Sequence, residues 1–252
     1  MARQKGIVKI KGTIGDMTFY KSRDGYMVRE KGGVEASRIA NDPAFQRTRE
    51  NGAEFGRAGK SGKLIRTAFR PILMKASDGR MVSRLTRQML KVIQSDPVSA
   101  RGERKVSEGD LSIVKGFEFN AFGKLSTTLF VPYNASLNRS SGEMNVDIES
   151  FVPIEMITAP EGTTHFKIVS GAAEIDFDNE EYTVATSESA ILAYDETASG
   201  ALNLQNILSP GSTLSLFLLL GISFFQEVNG TMYPLRNGAF NPMSAVEVEN
   251  GV

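Results

Sequence analysis

The sequence predicts an α+β protein: a small N-terminal β-meander and helices, followed by an antiparallel immunoglobulin/fibronectin-like β-sandwich. Three observations indicate this class. Short β-like runs with glycine turns open the chain, two segments with helical periodicity follow, and alternating strand-like segments occupy the remainder. With 252 residues, of which 41% are hydrophobic, the chain is long enough to bury a substantial core.

The opening segment has the pattern of a three-stranded meander. Its β-like runs are residues 7–11, 17–21 and 26–30, and glycine-containing turns separate them. Asp24-Gly25 is a dipeptide typical of tight hairpin turns. A sheet this small needs another element to pack against.

Two helices are predicted next. Asn41-Asp42-Pro43 is a helix start, with Asn41 or Asp42 as the N-cap and Pro43 in the first turn, where its missing N–H costs nothing. This helix should extend through Arg70 and be interrupted or kinked at Pro71. Its glycines each weaken it by about 1 kcal/mol relative to alanine, so we expect it to depend on a partner surface.

The second helix is predicted from Ser77 or Asp78 to Gln94, with an apolar stripe inward and a row of cations outward. The inward residues are Met81, Leu85, Met89, Val92 and Ile93. The outward residues are Arg80, Arg84, Arg87 and Lys91. Asp96-Pro97 should close this helix, and residues 98–110 have the composition of a linker or a last polar turn.

Period-two alternation and turn residues predict a series of strands in the second half of the chain. The predicted strands are 112–119, 125–131, 143–148, 164–169, 173–177, 181–185, 201–207, 213–228, 231–236 and 244–248. Asn229-Gly230 is the strongest hairpin signal in the chain. Closely spaced strands favour the immunoglobulin/fibronectin-like sandwich, although the chain has neither the Cys pair nor the Trp of a true immunoglobulin domain.

Charge is distributed unevenly along the chain. Residues 1–105 contain 24 Lys and Arg against 10 Asp and Glu, a net +14, whereas residues 106–252 contain 5 against 19, a net −14. We therefore predict two domains, a basic hairpin-plus-helix domain at 1–105 and an acidic sandwich at 106–252. An excess this large steers partners of opposite sign, either nucleic acid or an acidic protein surface such as the second half of another copy.

A set of cations in the two helices carries this basic character and is predicted to make assembly or phosphate contacts. The set consists of Arg47, Arg49, Arg57, Lys60, Lys63, Arg66, Arg70, Arg80, Arg84 and Arg87. No helix-turn-helix, RNA-recognition or zinc-finger pattern accompanies it, and aromatic residues between the cations are sparse. Nucleic-acid binding is therefore the alternative hypothesis rather than the first.

No pattern of catalytic or cofactor-binding residues is recognisable. Gly56-Arg57-Ala58-Gly59-Lys60-Ser61 lacks the glycine spacing of a phosphate-binding loop and falls inside a predicted helix. His165 has no partners for a triad or metal cluster in its context, and the acidic run 174–181 lacks the ligand order of a calcium loop. We predict a non-enzyme with no cofactor, no metal and no evident small-molecule substrate.

Other classes of protein are excluded by composition. The chain has no Cys, which rules out disulfides, thiolate metal sites and Cys nucleophiles. Its longest apolar stretch, 214–225, is about 12 residues long, whereas a membrane span needs roughly 20. The N-terminus alternates Lys with Ile and does not resemble a secretory signal, so we expect a cytoplasmic protein without membrane contact.

Three segments resemble a family of proteins from Bacteroidota-type bacteria that has no assigned activity. These are residues 11–33, the Asn-Asp-Pro segment 41–50 and the Phe-Phe-Gln-Glu-Val-Asn-Gly segment 224–230. The resemblance implies a shared fold of hairpin, helices and β-sandwich. Residues 41–50 are also similar to segments of small phage-like proteins, which implies a role in assembly.

Together these observations predict a non-enzymatic structural subunit that self-assembles into a filament, tube or ring. The predicted partner is a second copy of the chain, bound head-to-tail through basic-to-acidic contacts. The alternative is a nucleic-acid-associated protein that binds phosphates weakly through the basic helices.

Overall fold

The computed structural model describes residues 2–30 and 32–252; Met1 and Lys31, the latter within the segment of family resemblance, lie outside the described residues. The predicted α+β class is confirmed, with helices and antiparallel sheets in separate parts of the chain. Contacts divide the chain into one unit of residues 1–49 and a second of residues 50–252. This division falls at a different place from the predicted boundary at residue 105, which follows the change in charge.

The N-terminal unit contains a four-stranded antiparallel sheet in the order β1-β4-β3-β2. Its strands are β1 (Ala2–Arg3), β2 (Gly12–Ile14), β3 (Met17–Ser22) and β4 (Gly25–Glu30). Helix α1 (Ala36–Asn41), absent from the sequence prediction, precedes a 3-10 turn at Pro43–Phe45. Asp42 caps this turn by accepting a hydrogen bond from the Ala44 amide at 2.9 Å, as predicted.

The predicted strand at residues 7–11 is wrong. This segment is exposed and forms no β-ladder with the other described residues. The Gln4 side chain instead makes two hydrogen bonds to the backbone of Ile10. Gln4 Oε1 accepts from the Ile10 amide at 2.9 Å, and Gln4 Nε2 donates to the Ile10 carbonyl at 3.2 Å. The side chain therefore substitutes for a neighbouring strand at this point.

Helices cover one side of the second unit. They are α2 (Gln46–Ala68), whose residues from Glu50 belong to this unit, α3 (Arg70–Leu73) and α4 (Met81–Gln94). Pro71 lies in the first turn of α3 and marks the break after α2, as predicted. The five residues predicted to face inward from α4 are all buried.

Two antiparallel sheets form the rest of the second unit. The first has the order β10-β6-β5, from β5 (Tyr133–Asn138), β6 (Glu143–Ile148) and β10 (Leu202–Ile207). The second is built around β7 (His165–Asp176) and β11 (Ser215–Val228). Its outer strands are β8 (Glu181–Glu188), β9 (Leu192–Ala193), β12 (Thr231–Pro234) and β13 (Met243–Glu249). A four-residue helix, α5 (Pro153–Met156), lies between β6 and β7 in the chain.

Strand β11 is apolar on both faces because each face is covered. Phe217 and Leu219 pack with Ile65 and Phe69 in the core beneath the helices. The alternate residues, Leu218 among them, pack with the three-stranded sheet in a second core. The unit therefore has three layers: helices, the large sheet and the three-stranded sheet. A strand buried on both faces reads as a continuous apolar run, as residues 214–225 do.

Several predicted strand boundaries are corrected. Residues 112–119 and 125–131 contain 3-10 turns rather than strands, and 164–169 and 173–177 belong to the single strand β7. Strand β5 was not predicted, although Tyr133, Ala135 and Leu137 alternate with polar residues and the last two pack against the second core. Residues 98–110 are not a free linker: Val106 is buried in the core beneath the helices.

Candidate interaction surface

Helix α2 presents an exposed row of cations on the side opposite its core residues. Ala58, Ile65 and Ala68 are buried. Lys63, on the opposite side of α2, and Arg70, the first residue of α3, are exposed and have no acidic partner among the described residues. Nothing lies within 4 Å of a Cβ placed on Gly52, Gly56 or Gly59, so the backbone of this outer face is open.

Helix α4 continues the basic character of the helical layer. Arg80 and Arg87 are exposed and have no acidic partner in the described part of the chain. They lie on the side away from the buried residues Leu85 and Met89. Lys91 of α4 is exposed as well, as predicted. We use the name basic face for four of the exposed cations of this layer that have no ion pair among the described residues: Lys63, Arg70, Arg80 and Arg87.

Arg84 does not belong to the basic face, which corrects the prediction that it points outward. Its guanidinium binds the Asp78 carboxylate, and it donates to the Glu118 carbonyl at 2.5 Å and to the Phe119 carbonyl at 3.2 Å. Burial would raise the pKa of Asp78, but hydrogen bonds from Ala121, Arg80 and Arg84 outweigh it and hold the pKa below its ordinary value. Arg84 therefore fixes the helix to the segment that follows it.

The other predicted contact residues have mixed environments. In the N-terminal unit, Arg47 is exposed, whereas Arg49 donates to the carbonyls of Ile39 and Asp42 at 2.7 and 2.9 Å. In the second unit, Arg57 donates to the Arg104 carbonyl at 3.1 Å, and Arg66 donates within its own helix. Lys60 forms an ion pair with Glu180.

The second unit is strongly polarised in charge. Its residues 50–105 contain 13 Lys and Arg against 5 Asp and Glu, a net +8, and residues 106–252 have a net −14. Among the described residues, Lys60 with Glu180 is the one ion pair that joins these two segments, at 3.5 Å between exposed side chains. The opposite charges are therefore largely uncompensated within the unit.

The outer face of the three-stranded sheet is polar and acidic. Its strands β5, β6 and β10 contain no Lys or Arg. Asp147 is exposed at the centre of a row, paired in register with Asn134 on one side and Asn203 on the other. Asp147 and Glu149 line a groove of about 460 Å³ on this sheet. We call this surface the acidic face.

The acidic run 174–181 forms a structured turn. Asp176 accepts hydrogen bonds from the amides of Asp178 and Asn179, both at 2.9 Å. These hydrogen bonds, from Asn179 above all, lower the pKa of Asp176. Among residues 2–30 and 32–252, no group of three or more metal-binding side chains is placed to hold a metal ion.

His165 lies at the start of β7, where its Nδ1 is 3.0 Å from Thr164 Oγ1 and its Nε2 is 3.8 Å from Glu227. The Gly56–Ser61 segment lies inside α2, as the sequence indicated. Across the described residues, no helix is both long enough and apolar enough to cross a bilayer.

No protein-family model matches the chain, and no curated protein has significant similarity to it. The two charged faces and the cavities of the second unit are therefore the observations on which a function can be based.

Proposed function

We propose that the protein is a non-enzymatic structural subunit that self-assembles through contact between the basic face of one copy and the acidic face of another. The observation that carries this proposal is the uncompensated charge of the second unit, +8 in residues 50–105 and −14 in residues 106–252. Individual exposed ion pairs contribute only about 0–1 kcal/mol, so the contact requires several at once.

The layer order supports a head-to-tail contact. The basic face lies on the helical layer, and the acidic face lies on the three-stranded sheet at the other side of the large sheet. A contact between two different surfaces is heterologous, and it continues as a filament or tube, or closes into a ring, according to the rotation between copies. The exposed glycine positions of α2 add to this argument, since an open backbone permits close approach.

The strand order supports the predicted immunoglobulin/fibronectin-like sandwich. Seven strands can be given immunoglobulin letters in chain order. In the three-stranded sheet, β5, β6 and β10 are A, B and E, in the order A-B-E. In the large sheet, β7, β8, β11 and β13 are C, C′, F and G, in the order C′-C-F-G. Immunoglobulin-type domains likewise keep A, B and E in one sheet and C, F and G in the other. Sandwiches of this type are common in cell-surface and binding proteins, which is compatible with a subunit whose task is contact.

Sedimentation of the full chain tests the proposal. We expect the wild type to associate at low salt and to dissociate towards about 1 M salt. The Debye length is about 8 Å at roughly 0.15 M ionic strength and only about 3 Å at 1 M. The variant Lys63→Glu/Arg80→Glu/Arg87→Glu should stay dissociated with an unchanged circular dichroism spectrum. A matched control, Lys5→Glu/Lys11→Glu/Arg23→Glu, makes the same charge change in the N-terminal unit and should associate like the wild type.

A charge-swap experiment identifies the partner surface. Asp147→Lys/Glu149→Lys on the acidic face should also prevent association by itself. Mixing this variant with the basic-face variant should restore association, because one surface of each is still compatible with the other. If wild-type sedimentation is the same at low and high salt, or if the mixture does not associate, the proposal is wrong.

Nucleic-acid association is the second candidate function, and the four unpaired cations of the basic face favour it. The net −14 of residues 106–252 opposes it, because a polyanion is repelled by that part of the unit. We expect weak, sequence-independent binding in an anisotropy titration at low salt. Tight binding that persists at about 200 mM salt would make this the leading function, since affinity based on phosphate contacts falls steeply with salt. For either function we propose a bacterial, cytoplasmic setting.

A further inference from the structure

A cavity of about 240 Å³ opens beyond the end of the helical layer. Its apolar walls come from α3, the two central strands and β13, with Ile72, Val169, Phe225 and Met243 as the main residues. Three charged residues, Lys75, Lys167 and Glu188, also line this cavity. Apolar walls with a few convergent polar groups are the usual composition of a small-molecule site.

One wall of the cavity is held in an unusual backbone conformation. Arg236, Asn237 and Gly238 have consecutive positive φ values of 45°, 53° and 76°. A Cβ at Gly238 would lie 2.3 Å from the Lys75 carbonyl oxygen. The backbone of this wall therefore packs directly against the backbone at the end of the helical layer. Left-handed non-glycine residues persist where the surroundings impose them, and they are concentrated at ligand sites.

Two buried asparagines impose this conformation. Asn241 donates to the Lys75 carbonyl at 3.0 Å and accepts from the Phe224 amide at 3.2 Å. Asn120 donates to the carbonyls of Ala239 and Asn241 at 3.0 and 2.9 Å. The wall is therefore fixed before any ligand arrives, which reduces the entropy lost on binding.

The charges that line the cavity favour an anion. Lys167 forms an ion pair with Glu188, and that pair is neutral overall. Lys75 is an exposed residue and has no acidic partner within residues 2–30 and 32–252. The lining thus carries one uncompensated positive charge beside apolar walls.

We propose that this cavity binds a small amphipathic carboxylate. Its apolar body lies against Ile72, Val169 and Phe225, and its carboxylate is bound by the Lys75 ammonium. The cavity is slightly smaller than the roughly 300 Å³ at the lower end of known ligand pockets, so the ligand has about eight non-hydrogen atoms. This site is separate from the basic face and does not depend on self-assembly.

Titration of the full chain with three matched six-carbon probes tests the proposal: hexanoate, 1-hexanol and hexylamine. A ligand of this size should bind with a Kd on the order of 1 mM. We expect saturable hexanoate binding by calorimetry or ligand-observed NMR, at least about tenfold tighter than 1-hexanol or hexylamine. No saturable hexanoate signal up to about 20 mM, or equal affinity for 1-hexanol, would overturn the proposal.

Two variants locate the binding site. Lys75→Met should weaken hexanoate binding about tenfold. The matched control Lys11→Met, at an exposed lysine outside both the cavity and the basic face, should not. Ser223→Leu fills the cavity and should abolish binding, while Thr183→Leu, an exposed strand position away from the cavity, leaves it unchanged. Melting temperatures check that each variant is folded. Unchanged hexanoate binding in a folded Ser223→Leu variant would overturn the assignment to this cavity.

Discussion

Lys60 Nζ lies 3.5 Å from Glu180 Oε1, where the basic helix α2 meets the acidic turn between β7 and β8. Glu180 has a positive φ of 58°, and its side chain is 61% exposed. This pair shows how little of the charge difference between the two halves of the sequence is compensated inside one subunit. The basic face and the acidic face remain available to other molecules.

This exposed pair should contribute little to stability. In a double-mutant cycle with Lys60→Ala and Glu180→Ala, we expect a coupling energy below about 1 kcal/mol, because both side chains are well solvated. Denaturant unfolding of the two single variants and the double variant measures it. A coupling energy of about 3 kcal/mol, which is typical of a buried ion pair, would contradict the solvated environment of this pair.

Arg84 should behave differently from its helix neighbour Arg87. Arg84→Ala leaves the buried Asp78 carboxylate and two carbonyls without their donor, and we expect a loss of about 2–4 kcal/mol in unfolding free energy. Arg87→Ala should change stability by less than about 0.5 kcal/mol. Equal effects in denaturant unfolding would contradict the structural role assigned to Arg84.

Replacing the open glycines of α2 by alanine should stabilise the fold. Alanine at Gly52, Gly56 or Gly59 meets no neighbouring atom, so each substitution should add about 0.5–1 kcal/mol to the unfolding free energy. The control is Gly109→Ala, whose Cβ would lie 2.2 Å from the Val92 carbonyl oxygen and should destabilise. If close backbone approach serves assembly, Gly56→Ala will raise the melting temperature and weaken association.

The fold should lose stability in acid partly through Asp96. Burial would raise its pKa, but the amides of Ser99, Lys105 and Val98 outweigh burial and hold the pKa below the ordinary value of 3.8. A lowered folded-state pKa means that the unfolded chain binds the proton more tightly. The stabilisation is therefore complete above pH 3.8 and is lost as pH falls towards the folded-state pKa.

The substitution Asp96→Asn tests this contribution. The variant should lose about 1–3 kcal/mol near neutral pH, because an amide cannot accept the same set of hydrogen bonds. Its stability should then fall less steeply than that of the wild type between about pH 4 and about pH 2. Parallel acid slopes for wild type and variant would contradict the role of Asp96.

Glu118 contributes to stability with the opposite pH dependence. Burial raises its pKa, so its contribution is present at low pH and is lost as pH rises.

Much of the fold was predictable where local chemistry decides it. Asp42 caps its turn, Pro71 marks the break after α2, and Asn229-Gly230 forms the hairpin between β11 and β12. The buried stripe of α4 also followed from its spacing. The strand β5 was missed although it alternates apolar and polar residues, because Ala135 and Leu137 are only partly buried and the run is short.

The candidate interaction surface was predictable only in part. Lys63, Arg70, Arg80 and Arg87 are exposed cations, as the helical pattern indicated. The role of Arg84 was not, because its acceptors include two backbone carbonyls more than thirty residues away in sequence. The Lys75 cavity gave no sequence signal, since its walls come from segments far apart in the chain.

The sequence by itself determined the α+β class, the turns, the helical stripe of α4 and the opposite charges of the two halves. These depend on neighbouring residues, whose spacing and chemistry are fixed by the chain. Only the tertiary structure decided that α2 and α4 pack on the large sheet in a common core. It also decided that Arg84 and Arg87, one turn apart on α4, have different roles. Those outcomes depend on long-range packing, which brings together surfaces that no local pattern links.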